Sequence, residues 1–207
     1  MRLDLRFSAR PLEEFWCQAV TGFVFQRPNV TTGPMAGLNA KMADSLTDLI
    51  EKEVWTGKKD ESFLMATQSM IKADKLLFYG LGEFSDFSVS VLIKGAVELG
   101  ISLDKLGIDE FAVLIPETDS RVGEYLSHLG TSACHLVEPF LKKHKDDPDY
   151  LLRIFYSVEG DLIPVLGPLV KELRKHFTDR LDFTIVVDNP TVLEAETVAI
   201  EIEIRKR

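Results

Sequence analysis

The chain has 207 residues, 33 of them acidic and 24 basic, for a formal net charge of −9 and a sequence pI of about 5.0. That length corresponds to one domain, two at most, and a chain of this size buries about 70% of its unfolded surface, so no metal or disulfide is needed to hold its core. Hydrophobic residues at 45% and charged residues at 28% exclude a disordered chain, and the acidic balance argues against a general nucleic-acid surface, which needs basic residues to release phosphate counterions.

Taken in chain order, Leu3, Leu5 and Phe7 alternate with Asp4, Arg6 and Ser8, the period of a half-buried strand. Ala19 to Phe25 is a second strand, ending at Gln26-Arg27-Pro28 because Pro28 has no N–H to give a ladder. After Gly33-Pro34, Met35 to Trp55 reads as one helix with Leu38, Met42, Leu46, Leu49 and Ile50 on its apolar face, stopped by Gly57-Lys58-Lys59-Asp60. Ser62 to Thr67 is a short strand. Lys75 to Tyr79 is a stronger one, apolar as if covered on both faces, running into Gly80-Leu81-Gly82. A helix follows from about Ser85 to Leu99, capped by Ser85 or Asp86 and closed by Gly100.

Phe111 to Ile115 is a buried strand ended by Pro116. Asp119 to Lys145 is helical with a break expected near Gly130-Thr131-Ser132, and its last turns hold Lys142, Lys143, His144 and Lys145, which suit the negative end of a helix dipole. Leu151 to Val158 is a strand, Leu169 to Phe177 a helix, and Phe183 to Val187 a strand closed by Asn189-Pro190. Thr197 to Ile204 alternates Val198, Ile200, Ile202 and Ile204 with polar residues, the pattern of an edge strand that pairs back on Phe183–Val187 as a hairpin. Glu194, Glu196, Glu201 and Glu203 read as a solubilising edge. Alternating strands and helices predict an α/β domain of three layers with a largely parallel or mixed sheet.

Met1 to Arg10 has no continuous apolar stretch, so no secretory signal is expected, and no apolar run approaches the ~18 residues that span a bilayer. Cys17 and Cys134 are too few for a disulfide framework or a zinc cluster and read as thiols of a reducing compartment. The expectation is a cytoplasmic protein with no membrane and no nucleic-acid partner.

Two glycine-bearing segments are the candidate sites. Gly80-Leu81-Gly82, followed by Glu83, lies between a buried strand and a helix, where glycines let a ligand approach main-chain N–H groups and a helix N-terminus favours phosphate. A tight strand-to-helix turn is the more ordinary reading of the same residues. The third glycine of a dinucleotide fingerprint and the Gly-Lys-Ser/Thr of a P-loop are absent. Gly33-Pro34-Met35-Ala36-Gly37 opens the preceding helix and offers a second wall, or simply a loop with Pro34 in the first turn. His128 and His135 are two turns apart, too far to share a metal, and Pro139 after them argues against a regular helix there. No His-Glu-x-x-His and no Gly-x-Ser-x-Gly occurs.

Arg27-Pro28, Gly33-Pro34-Met35-Ala36-Gly37-Leu38-Asn39, Val54-Trp55-Thr56-Gly57-Lys58-Lys59-Asp60-Glu61 and Ala73-Asp74-Lys75-Leu76-Leu77-Phe78-Tyr79-Gly80-Leu81-Gly82 occur in that order. Together they resemble the N-terminal domain of the cytosolic leucine aminopeptidase family. The resemblance covers about residues 19–140. It implies a macro-domain-like α/β fold, a mixed sheet flanked by helices. In that family a separate catalytic domain holds two divalent metals and carries an Asn-Thr-Asp-Ala-Glu-Gly-Arg signature, which this sequence lacks. No catalytic residue, metal ligand or cofactor is therefore carried over.

The expectation is one α/β domain over 1–207, in which 1–145 carries the resemblance and 146–207 adds a helix and two strands to the same sheet. Its expected role is a stand-alone, non-catalytic module. It would bind a nucleotide or ADP-ribose-like, phosphate-bearing ligand at Gly33, Gly37, Gly80, Leu81, Gly82 and Glu83, or assemble as a homo-oligomer. The alternatives are a metal-dependent hydrolase related to the aminopeptidases and a regulatory partner of a separate catalytic chain.

Overall fold

The computed structural model describes residues 1–116 and 122–188. The alternating N-terminus forms β1 (Arg2–Ser8), with Leu3, Leu5 and Phe7 buried and Arg2, Asp4 and Arg6 turned the other way. The continuous apolar segments form β2 (Ala19–Phe25), β4 (Lys75–Gly82) and β5 (Glu110–Leu114), buried along nearly their whole length. With β3 (Ser62–Ala66), β6 (Leu151–Ser157) and β7 (Asp182–Asp188) they make one seven-stranded sheet in the order β3-β4-β2-β5-β6-β1-β7. All described pairings are parallel except β3 with β4. The fold is thus a mixed α/β sheet between helices, as expected, and residues beyond 145 supply β6 and β7 on either side of β1.

Among the described residues five α-helices connect the strands: α1 (Pro34–Lys41), α2 (Ser45–Glu51), α3 (Val89–Lys105), α4 (Val122–His144) and α5 (Gly167–Phe177). One core lies between the sheet and α3, α4 and α5, and includes Leu5, Phe7, Phe111, Phe140, Tyr156 and Phe177. A second, smaller core lies on the opposite face, where α1, α2 and the 3-10 turn Leu12–Glu14 cover β4, β2 and β5. There Trp55 stacks between Phe63 and Phe78, with ring centroids 4.7 and 5.4 Å apart.

Several expected boundaries move, each for a physical reason. The single helix Met35–Trp55 is two helices, because Ala43 and Asp44 adopt left-handed φ of 51° and 56°. Asn39 is buried and ties the break together: its amide donates to Asp44 Oδ1 (3.1 Å) and Thr47 Oγ1 (2.9 Å), and its carbonyl oxygen accepts from Thr47 N (3.3 Å).

The helix expected from Ser85 begins at Val89, since Phe84–Asp86 forms a 3-10 turn and neither Ser85 nor Asp86 caps it. That helix continues through Gly100 to Lys105. Gly100 is a packing residue rather than a terminator, because a Cβ there would lie 2.6 Å from the Leu136 carbonyl of α4. α4 shows no break at Gly130-Thr131-Ser132 and continues past Pro139; Gly130 instead gives room to Leu169 of α5, 2.7 Å from where its Cβ would be. The basic end of α4 is anchored: Lys143 Nζ (2.8 Å) and His144 Nε2 (2.7 Å) both meet the Asp104 carboxylate. Asn189-Pro190 and the predicted strand Thr197–Ile204 with its glutamates lie outside the described residues.

Candidate functional site

The two glycine segments have different fates. Gly80, Leu81 and Gly82 are the last residues of β4 rather than a loop. The turn from Thr56 to Glu61 folds over them. Gly80 N–H donates to the Glu61 carbonyl (2.8 Å), and the Gly80 carbonyl accepts from Asp60 N–H (3.0 Å). Gly82 N–H donates to the Gly57 carbonyl (3.3 Å), and the Gly82 carbonyl accepts from Gln26 N–H (2.8 Å). A Cβ on Gly80 would collide with the Lys58 carbonyl and the Gly57 backbone. Glycine is needed here for close approach of the chain's own backbone. Leu81 is buried, and Glu83 is exposed at the start of the Phe84–Asp86 turn. These glycine amides are spent inside the fold and offer no cradle to a ligand.

The turn itself holds an anion, the chain's own. The Glu61 carboxylate accepts from Thr56 N–H (3.1 Å), Thr56 Oγ1 (3.0 Å) and Lys58 N–H (3.0 Å). Beside it, Asp60 accepts from Tyr79 Oη (2.6 Å) and Lys94 Nζ (2.7 Å). Those bonds, Lys94 first, hold the Asp60 carboxyl below its usual range, while burial and then Asp60 push the Tyr79 phenol up. Phe84 and Phe87 pack edge-on against Phe25 at 5.0 and 5.3 Å.

Gly33 and Gly37 belong to a cleft. It opens at the carboxyl ends of β2, β5 and β6, where open α/β sheets hold their ligands. Gly33 has φ of +63°, which lets the chain turn sharply into α1, and Pro34 takes the first helical position. The cleft has two lobes that share Gly33, Pro34, Leu114 and Ile115. The smaller, of about 320 Å³, is bordered by Phe25, Arg27, Pro28, Asn29 and Thr32. Arg27 is exposed, and no carboxylate among the described residues lies in ion-pair range of it.

The larger lobe, of about 710 Å³, is bordered by Glu13, Gly37, Tyr125, Ser157, Glu159 and Asp161. Glu13 reaches the first turns of α1 because Gly37 has no side chain; a Cβ on Gly37 would collide with the Glu13 carboxylate. Glu13 Oε2 is fully withdrawn from solvent with no hydrogen-bond donor. Leaving such an oxygen unpaired costs about 1–3 kcal/mol, more for a charged group.

The other residues of interest stay apart. His128 is buried with its ring edge-on to Phe87 at 5.2 Å, while His135 lines a groove between α4 and α5. Cys17 Sγ donates to the Ala19 carbonyl (3.2 Å), and burial pushes its thiol up to about 12; burial also raises Cys134, to about 11. Neither is a thiolate at neutral pH. Among the described residues, no group of three His, Cys, Asp or Glu side chains is placed to hold a metal ion, and no helix is long and apolar enough to cross a membrane.

Glu13 and Asp161 were not singled out in the sequence, and Arg27 stood there only as a strand end and as part of the family resemblance, not as a site residue. The signal that locates them is positional: each follows a parallel strand, and ligands of such sheets sit in the loops beyond strand carboxyl ends.

The model of the N-terminal domain of the cytosol aminopeptidase family matches residues 23–138. The chain belongs to that family. A probable cytosol aminopeptidase of Trichormus variabilis (strain ATCC 29413 / PCC 7937) is 28% identical over 98 residues, 47% of this chain and 20% of that protein. The chain thus spans about a fifth of the length of this aminopeptidase relative.

Among solved structures, a mutant tomato leucine aminopeptidase shares the fold with a TM-score of 0.64 at 10% identity, over 84% of this chain and 35% of that one. The macro domain of ganglioside induced differentiation associated protein 2 gives a TM-score of 0.59 at 10% identity, covering 86% and 85% of the two chains. A Trypanosoma brucei macrodomain in complex with ADP-ribose gives 0.52 at 13% identity, covering 83% and 68%. At these identities the likeness is one of fold. It makes this member of the aminopeptidase family macro-domain-like, as the resemblance implied.

Proposed function

We propose that this chain is a non-catalytic binding module that takes a phosphate-bearing small molecule, a nucleotide of the ADP-ribose kind, in the cleft at the carboxyl ends of β2, β5 and β6. The observation that carries the reading is the smaller lobe, where Arg27, with no ion-pair partner among the described residues, stands beside the Gly33–Pro34 entry to α1 and the Phe25 and Pro28 wall. A guanidinium supplies a planar donor fork for phosphate, the positive end of a helix adds to it, and an apolar aromatic wall suits a base. The sequence has no Asn-Thr-Asp-Ala-Glu-Gly-Arg signature through which the family's metal chemistry would be carried over. In this reading the protein works in the cytosol, as the family description suggests.

Calorimetry of the full chain with ADP-ribose tests it. The expected result is saturable heat, weakened at least about tenfold by Arg27→Met, the worth of one hydrogen bond to a charged group. No heat at millimolar ligand, with unchanged NMR signals of Gly33 and Gly37, overturns it.

A second reading, assembly with copies of itself or with a separate catalytic chain, draws on the sheet face formed by β6, β1 and β7. No described helix covers that face at β1 and β7, although Phe155 of β6 packs on Phe15, and it carries a ladder of charges: Glu110 to Arg153 (2.8 Å), Arg153 to Asp4 (3.2 Å) and Asp4 to Arg6 (3.0 Å). Sedimentation over rising concentration decides it, and a monomer throughout rules out the self-assembly half.

A further inference from the structure

We infer that the outer edge of β3 is an interface between two copies of this chain, which pair β3 against β3 across a two-fold axis at Leu64 and join their sheets into one. The inference rests neither on the cleft reading nor on the open face of β6, β1 and β7, and it assigns self-assembly to the opposite edge of the sheet.

β3 is an edge strand, with β4 as its only strand neighbour among the described residues. Its outward groups follow from the bonds at its two ends. Gly80 N–H donates to the Glu61 carbonyl (2.8 Å), and Thr67 N–H donates to the Asp74 carbonyl (3.0 Å). In an antiparallel ladder only every second residue bonds a given neighbour. With Ser62 opposite Tyr79 and Ala66 opposite Lys75, the residues of β3 that bond β4 are Phe63 and Met65. The N–H and C=O of Ser62, Leu64 and Ala66 face away from β4, and no other part of the chain bonds them among the described residues.

Proteins protect such an edge with a charge, a proline or a bulge. β3 reads Ser-Phe-Leu-Met-Ala and pairs with β4 in unbroken register, so it has none of these. Leu64 is 50% exposed, and Phe63 and Met65 are half-buried against the second core.

The occupant is a second copy because the edge is self-complementary. With the axis at Leu64, Leu64 meets its own copy in a hydrogen-bonded pair, Ser62 meets Ala66, and Phe63 meets Met65 as a ring against a thioether. The flanks add no clash, since Glu61 falls opposite Thr67 and Asp60 opposite Gln68. The other described edge behaves differently. Full-length antiparallel pairing of β7 with a second β7 sets Asp182 against Asp188 at both ends, and like charges directly opposite disfavour pairing. A two-fold pairing of β3 uses up the edge, so assembly closes at the dimer.

Sedimentation of the full chain over rising concentration, with amide exchange followed by NMR, tests the inference. A reversible dimer is expected. The Leu64 amide, fast in the monomer, slows at least about tenfold as the dimer forms, while that of Phe63, bonded to β4, changes less. Leu64→Lys sets two ammonium groups against each other at the axis and weakens the dimer at least about tenfold, whereas Leu64→Val keeps it. Thermal melts of the variants at low concentration exclude misfolding as the cause.

A monomer at every concentration overturns the inference. So does a dimer that Leu64→Lys leaves intact; if Arg153→Met breaks that dimer, assembly belongs to the open face of β6, β1 and β7. A Leu64 amide already slow in the monomer overturns it as well, because another part of the same chain then covers the edge. ADP-ribose binding is read separately and bears on the cleft alone.

Discussion

The strands β4, β2 and β5 are covered on both faces, by α3 and α4 on one side and by α1, α2 and the Leu12–Glu14 turn on the other. The strands β1 and β7 are covered by helices on one face only, as is β6 apart from Phe155, which packs on Phe15 at 5.3 Å; that other face carries Arg153, Asp4, Arg6 and Asp182. The two halves of one sheet therefore obey different sequence rules. Double cover asks for continuous apolar runs such as Leu76-Leu77-Phe78-Tyr79, and single cover asks for alternation such as Leu3-Asp4-Leu5-Arg6-Phe7. Stability and surface chemistry are divided along the same line. The doubly covered half is held by buried area, and the open face of the other half by ion pairs of modest worth.

The largest expected effect falls in the doubly covered half. Phe78→Ala removes a fully buried ring stacked on Trp55 and lowers unfolding free energy by about 3–5 kcal/mol, read from urea midpoints. A loss below about 1 kcal/mol would show that the second core is not closed around it.

A smaller and pH-dependent effect is expected at the end of α4. Burial alone would raise the Asp104 carboxyl, but the hydrogen bonds from Lys143 and His144 outweigh it and hold it below the usual carboxylate range. The folded value is depressed, so the unfolded chain takes up the proton first. This contribution is present above the ordinary aspartate value of about 3.9 and is lost as the pH falls through the folded value. Asp104→Asn lowers stability at pH 6, and the gap between variant and wild type closes as the pH drops below about 4. A gap that does not vary with pH would mean that the carboxylate's charge is not what stabilises the helix end.

The smallest effect belongs to the open face. Arg153→Met breaks half-exposed pairs with Glu110 and Asp4 and changes stability by no more than about 1 kcal/mol. A larger loss, or one that depends on protein concentration, would mean that this face is covered in solution. That would erase the contrast between the two halves and favour assembly.

The same contrast explains what could be read from the chain. Strands were legible because burial imprints a period, whether on both faces at Leu76–Tyr79 or on one at Leu3–Phe7. Helix boundaries were not, where long-range contacts decide them. Asn39 looks like an ordinary polar position, yet its bonds to Asp44 and Thr47 divide α1 from α2. Gly100 looks like a stop signal, yet it serves the approach of α3 to α4. Pro139 looks like a breaker, yet it lies inside α4.

The site divided similarly. Gly33 and Gly37 were visible as glycines at a helix start, and the structure sets them on the cleft. Gly80 and Gly82 gave the same signal for another reason, the weight of the Thr56–Glu61 turn above them. Composition does not distinguish a glycine that borders a cleft from one that lets a turn of its own chain dock. Glu13 carries no motif and Arg27 belongs only to the family resemblance, and the shared end of the parallel strands is what brings them to one cleft.

The docking of that turn onto β4 also separates two kinds of opening motion. The amide protons of Gly80 and Gly82 are bonded to Glu61 and Gly57, outside the ladder that β4 makes with β2. Solvent hydrogen replaces them when the turn lifts, without any strand having to part. The two glycines are thus a built-in clock for the peeling of Thr56–Glu61, while Leu77, inside the sheet, keeps time for the opening of the sheet itself.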